Sequence, residues 1–123
     1  ISEGLAKSIR NGLAMDLSRY VAALESVDDF RREMTDVFAG VDVVLTPAVN
    51  GEAPAGLGYT GHHGFQSIWT QLRTPTVTLP THAGPSGLPV GIQLVAPRHG
   101  DVRLLAAAQL IFRILGRGPV VKS

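Results

Sequence analysis

The sequence predicts an α/β fold with three short strands among helices. Three observations point there. Short β-type runs near residues 41–46, 76–79 and 90–95 are interleaved with longer stretches of helical periodicity. Hydrophobic residues make up 45 % of the 123, enough for a packed core. The strand candidates carry apolar residues on both faces, so three of them alone leave faces and edges that need cover.

The elements follow in order. Leu5, Ile9, Leu13, Leu17, Val21 and Leu24 recur every three or four residues and predict one amphipathic helix over about 3–25, with Ser2 as its N-cap. Gly12 weakens that helix by about 1 kcal/mol relative to alanine. Ser26 opens a second helix, with Asp28 and Asp29 in its first turn, Phe30, Met34, Val37 and Phe38 as its buried stripe, and Gly40 in a left-handed position at its end. Val41 to Thr46 reads as a strand covered on both faces and stopped by Pro47. Residues 47–62 form a Pro/Gly-rich loop of a length associated with site formation. Phe65, Ile68, Trp69 and Leu72 predict a short helix over about 63–72. Thr76 to Leu79, held between Pro75 and Pro80, is the second strand. Gly84-Pro85-Ser86-Gly87 is a turn, and Val90 to Val95 is the third strand. Val90, Ile92 and Leu94 point one way and Gly91, Gln93 and Val95 the other. Asp101 caps a last helix whose apolar face is Leu104, Leu105, Ala108, Ile111, Phe112 and Leu115, ended by Gly116 and Gly118. Ala106, Ala107 and Ala108 let that helix approach a sheet closely.

Composition excludes several functions. Without cysteine there is no disulfide, thiolate nucleophile or thiolate metal site. That is compatible with a reducing compartment, and a cytoplasmic location is expected. The net charge of +1 is too small for a polyanion binder. Residues 1–61 carry nine acidic and five basic side chains, residues 62–123 one acidic and six basic. The basic residues of the second half, Arg73, Arg98, Arg103, Arg113, Arg117 and Lys122, stand singly, which suits docking against acidic groups elsewhere in a larger protein better than nucleic acid. No apolar run approaches the roughly 20 residues that cross a bilayer. The start, Ile1-Ser2-Glu3, lacks the pattern of a signal peptide and reads as a point partway through a longer sequence.

Motifs for chemistry are sparse. Gly56-x-Gly58-x-x-Gly61 matches the dinucleotide glycine pattern, but no strand immediately precedes it and no acid lies about 20 residues onward. His62 and His63 diverge on a helix, and His82 and His99 are remote, so no metal site is expected. Among seven serines none lies in a glycine-rich elbow. Ser86, His82 and Asp101 assemble into a triad only on paper, and Lys7 and Lys122 pair with no nucleophile. No catalytic residue or cofactor site is therefore assigned. Trp69, Thr70 and Gln71 are the candidate substrate-binding residues. They sit between a long loop and a strand, and Trp69 reads either as core or as a pocket wall. Gln93, inside an apolar strand, needs hydrogen-bond partners, and tying down loop backbone is its plainest role.

Several runs carry a family resemblance. Asp42-Val43-Val44-Leu45-Thr46-Pro47, then Ile68-Trp69-Thr70-Gln71-Leu72-Arg73-Thr74-Pro75-Thr76-Val77-Thr78-Leu79-Pro80, then Gly87-Leu88-Pro89-Val90-Gly91-Ile92-Gln93-Leu94-Val95, with Asp101 and Leu104 to Ala108 after it, resemble the C-terminal third of amidase signature enzymes in order and separation. The resemblance covers about residues 17–116. It implies a C-terminal fragment of a mixed β-sheet covered by helices, with all of 1–123 forming one incomplete segment of an amidase domain. It implies hydrolysis of amide bonds of a small molecule by a serine, a second serine in a cis peptide arrangement and a lysine, all upstream of this chain. The implied partners are the missing N-terminal portion and the amide substrate, with no nucleic acid and no membrane. The chain alone is then inactive, and its sheet edges and apolar helix faces invite self-association. Position 73 departs from the family, which commonly has a small residue such as glycine there. The alternatives are a non-catalytic structural or interaction module built on an amidase-like fold, and an autonomous small hydrolase.

Overall fold

The computed structural model describes residues 1–115. The expected helix end at Gly116 and Gly118 lies outside the described residues, as do Arg117 and Lys122. The chain divides into two compact units, Ile1–Glu33 and Met34–Ser123.

The first unit holds helix α1, Glu3–Leu13, and most of helix α2, Leu17–Ala39. Ser2 caps α1 as expected, its Oγ accepting the Leu5 N–H at 3.3 Å. Glu3 in the first turn and Arg10 in the last complement the helix dipole. The single helix expected over 3–25 is broken at residues 14–16. Met15 N–H turns back to the Gly12 carbonyl at 3.2 Å, and a new helix begins after Asp16. Asp16 accepts the Tyr20 N–H on its carbonyl at 3.0 Å and the Ser18 hydroxyl on its carboxylate at 2.5 Å. Aspartate competes with helical backbone bonding and favours a helix start, which periodicity alone does not register. Ser26 consequently opens nothing. It lies inside α2 and donates its hydroxyl to the Ala22 carbonyl at 2.9 Å. Asp28 and Asp29 lie mid-helix and pair with Arg31 and Arg32 one turn on.

In the second unit α2 ends at Ala39, but Gly40 does not take the left-handed conformation expected of it. Of the expected stripe, Phe38 is buried, Phe30 and Met34 are half-buried, and Val37 is exposed. Strand β1, Val44–Pro47, starts later than expected and includes Pro47, opposite Ile92. Proline fits there because β1 is an edge strand. Leu45 is exposed, so β1 is not covered on both faces in this chain. Helix α3, Gly64–Leu72, follows the long loop as expected. Strand β2, Thr76–Ala83, runs through Pro80 instead of stopping before it. Pro80 stands opposite Gly91 on an edge strand, and a register shift between Pro80 and His82 absorbs the irregularity. The turn closes with the Gly84 N–H on the Leu88 carbonyl at 2.9 Å and leads into β3, Pro89–Val95.

The sheet order is β1-β3-β2, and β3 pairs antiparallel with both neighbours. With its flanking helices this is the α/β architecture that the sequence predicts. Helix α4, Asp101–Leu115, covers one face. Leu94, Ala96, Leu104 and Ala108 form the buried cluster there, with Val43, Val77, Leu79 and Ile111 packed against it. Ala108 thus serves the close approach expected of it, whereas Leu105, Phe112 and Leu115 stay largely exposed. Asp101 sits in the first turn of α4 as its first residue and not at the cap, where the Gly100 carbonyl accepts the Leu104 N–H at 2.9 Å. A side chain at Gly100 would place its Cβ 2.7 Å from the Pro97 carbonyl oxygen, so this corner requires glycine.

Candidate functional site

Side chains alternate across β3, so the face opposite α4 carries Gln93 and Val95. Gln93 stands opposite Thr46 on one side and Thr78 on the other, giving a polar row across the sheet. Gly91 lets β2 pack closely across this face. A Cβ there would lie 2.8 Å from Thr78 Cγ2 and 3.1 Å from the Leu79 carbonyl oxygen.

A partly open cavity of about 230 Å³ forms where α3 meets this face. Gln66, Trp69 and Thr70 line it from α3, Thr74 from the connection, Thr76 and Thr78 from β2, and Gln93 from β3. Gln93 and Trp69 are 2 % and 8 % exposed. Neither Gln93 Nε2 nor Trp69 Nε1, both shielded from solvent, has a hydrogen-bond acceptor among the described residues. The Thr70 hydroxyl donates to the Gln66 carbonyl at 3.1 Å, and the Thr74 hydroxyl to the Trp69 carbonyl at 3.3 Å. The cavity wall is therefore tied to α3 backbone, and its lining has no charged side chain.

Arg73 ends α3 in the left-handed conformation, φ 56° and ψ 39°, with its N–H on the Thr70 carbonyl at 3.2 Å. That conformation favours glycine, which gives a physical reason for a small residue at this position. The next N–H, of Thr74, returns to the Trp69 carbonyl at 3.2 Å.

Among the candidates, Trp69 and Thr70 face the cavity, and Gln71 lies on exposed α3 surface outside its lining. Gln66, Thr74, Thr76 and Thr78 were not singled out by sequence reasoning. The alternation Thr76-Val77-Thr78 was the available signal, polar on the cavity face and apolar on the α4 face. Glu52 was also missed. From the long loop its carboxylate accepts the Ser86 N–H at 3.0 Å and the Leu88 N–H at 2.9 Å. Desolvation works to raise its pKa, but the hydrogen bonds from Ser86, Leu88 and Gly87 outweigh it and hold the carboxyl below its ordinary value.

The weaker motifs do not converge. Gly56, Gly58 and Gly61 lie in the irregular loop, and α3 begins only at Gly64. His62 and His63 stack with ring centroids 5.6 Å apart, and His62 Nδ1 accepts the Gly64 N–H at 3.1 Å. No group of three or more metal-ligating side chains occurs among the described residues. Ser86 N–H is engaged by Glu52, and the His82 ring nitrogen meets the Thr81 hydroxyl at 3.1 Å. No helix among the described residues is long and apolar enough to cross a membrane.

No protein-family model matches the chain. A glutamyl-tRNA(Gln) amidotransferase subunit of Azorhizobium caulinodans is 34 % identical over 112 residues, which is 82 % of this chain and 22 % of that protein. A solved crystal structure of an amidase superposes with a TM-score of 0.84 at 27 % identity, over 94 % of this chain and 29 % of that one. Fatty acid amide hydrolase shares the fold with a TM-score of 0.76 at 23 % identity, over 86 % of this chain and 25 % of that one. The chain thus spans about a quarter of the length of the relatives it matches.

Proposed function

We propose, for a chain that its relatives place in the amidase-signature superfamily, that it is the C-terminal portion of a larger amidase acting on a small-molecule amide. The observation that supports a larger protein is one of coverage, while the C-terminal position rests on the order of the sequence runs that carry the resemblance. The amidase structure matches 94 % of this chain while this chain accounts for 29 % of it.

In this reading the catalytic residues lie outside the chain. A serine attacks the amide carbonyl, its proton passing through a second serine in a cis peptide arrangement to a lysine. Backbone N–H groups stabilise the oxyanion, the amine leaves, and water releases the acid. The chain contributes support and part of the pocket wall. The cavity bounded by Trp69 and Thr70 supports that role, being polar, uncharged and built on hydrogen-bonded backbone. Gln71 belongs to the proposal as a neighbour of that wall. A cytoplasmic location is part of the same proposal.

The test uses the complete protein that carries this chain. It is expected to hydrolyse simple aliphatic or aromatic amides. Trp69→Phe and Thr70→Val are expected to lower kcat/KM about tenfold while leaving thermal stability nearly unchanged. Absence of amide turnover in the folded complete protein would overturn the enzyme reading. Unchanged kcat/KM in both stable variants would remove these residues from the pocket.

A further inference from the structure

The turn between β2 and β3 gathers backbone donors around one point. Glu52 Oε1 accepts the Ser86 N–H at 3.0 Å and the Leu88 N–H at 2.9 Å, and Oε2 accepts the Ser86 N–H at 3.0 Å. Gly87, between the two donors, holds φ 81°, the left-handed conformation that lets neighbouring N–H groups converge. Gly84 makes the room, since a Cβ there would lie 2.3 Å from Glu52 Cγ. A turn of this kind is a nest for an anion, and here the anion comes from 34 residues upstream. The contact also matters for the long loop. The Ala48 N–H holds the start of that loop to the Gly91 carbonyl at 3.3 Å, and Glu52 holds it to the turn. Residues 53–61 make no hydrogen bond among the described residues, so Glu52 is the last polar anchor before His62.

We infer that the β2–β3 turn is a carboxylate-binding site and that Glu52 is its tethered ligand, a latch that fastens the long loop to the hairpin and that a free monocarboxylate replaces in the turn but not in the loop. Neither the latch nor the turn belongs to the cavity lining, so this goes beyond the amidase reading and does not depend on it. The chemistry of the site selects the class. Both oxygens of one planar group meet its donors, and the negative charge strengthens each bond. Neither residues 47–62 nor residues 84–88 include a lysine or arginine, so a dianion such as phosphate finds no second positive charge to offset its lost hydration. A neutral carboxamide of the same shape gives up the charge that strengthens the contact. Tethering sets the competition. A ligand on a short flexible segment acts at an effective concentration on the order of millimolar or above, so a weak free carboxylate does not enter while Glu52 is in place.

The test uses the complete protein that carries this chain and two readouts. The first is the pair of amide ¹H–¹⁵N signals of Ser86 and Leu88. In Glu52→Ala, acetate is expected to shift both signals saturably, and acetamide at the same concentration to leave them in place. With Glu52 present, acetate is expected to move neither. The second readout is elastase cleavage beside Val49 and Ala53, the small residues on either side of the latch. Cleavage is expected to run about tenfold faster in Glu52→Ala, because the loop opens more often without its anchor. It is expected to stay fast with acetate bound, because a free ligand fills the turn without holding the loop. Gly84→Ala keeps the carboxylate but puts a Cβ where Glu52 lies, so it is expected to be cut faster as well. Glu52→Ser takes the place of Glu52→Ala if that variant does not fold. An acetate titration that moves neither signal, acetamide acting as strongly as acetate, or cleavage unchanged in both variants would each overturn the inference. Cleavage that acetate slows again would overturn the tether, since filling the turn alone would then hold the loop.

Discussion

At the scale of single residues, the most consequential contact outside the cavity is that of Glu52. It spans 34 positions to reach Ser86 and ties the long loop to the β2–β3 turn. Its folded pKa lies below the ordinary glutamate value. The stability it contributes is therefore present above the unfolded pKa and is lost as pH falls through the folded one. Glu52→Gln keeps the shape and removes the charge. It is expected to lower the thermal midpoint at neutral pH, and the two melting curves are expected to converge as pH drops below the glutamate range. A constant gap between them at all pH values would show that the contact acts through packing, not ionisation. Nothing near Glu52 in sequence announces this contact, because its partners are backbone N–H groups some 34–36 residues away. Gln93 was more legible. A lone amide within Val90 to Val95 signals a polar demand, although the sequence does not show that Thr46 and Thr78 flank it.

At the scale of elements, the sequence located α3, β3 and α4 closely among the described residues but misplaced the break between the first two helices and the ends of β1 and β2. The stripe from Leu5 to Leu24 keeps its phase across residues 14–16, so only the capping preference of Asp16 betrays the break. Pro47 and Pro80 were read as stops because a proline cannot donate to a ladder, yet both lie within edge strands where that donor is dispensable. The end of α3 shows the same interplay of local chemistry and position. Arg73 holds φ 56°, a conformation that costs a non-glycine residue about 1–2 kcal/mol. Arg73→Gly relieves that cost and gives back part of it as unfolded-chain entropy, for a net gain of about 0.5–1 kcal/mol. The thermal midpoint is expected to rise by a few degrees, while Arg73→Ala, which keeps the Cβ, is expected to show no such rise. A lower midpoint in both variants would mean that the arginine side chain makes a stabilising contact that outweighs its backbone cost.

At the scale of the whole molecule, burial is unevenly divided. Among the described residues, all the buried ones fall between Phe38 and Ala108, and α1 has none. Leu5, Ile9 and Leu13 form an apolar stripe on α1 that is 51 %, 46 % and 83 % exposed. An 11-residue helix with no buried side chain is marginal by itself, since isolated helices shorter than about 12–15 residues barely hold in water. The core under α4 opens only with the sheet, because Leu94 and Ala96 are fully enclosed there. Hydrogen exchange on the 123-residue chain is therefore expected to show α1 amides exchanging close to the rate of an unstructured peptide, and the β3 amides of Gln93 to Val95 exchanging several orders of magnitude more slowly. In the complete protein the α1 stripe is expected to gain protection, because a sustained apolar face of this kind is stable only when something covers it. Equal protection of α1 in both would mean that its stability is intrinsic, and would remove the exposed stripe as an argument that this chain belongs to a larger body.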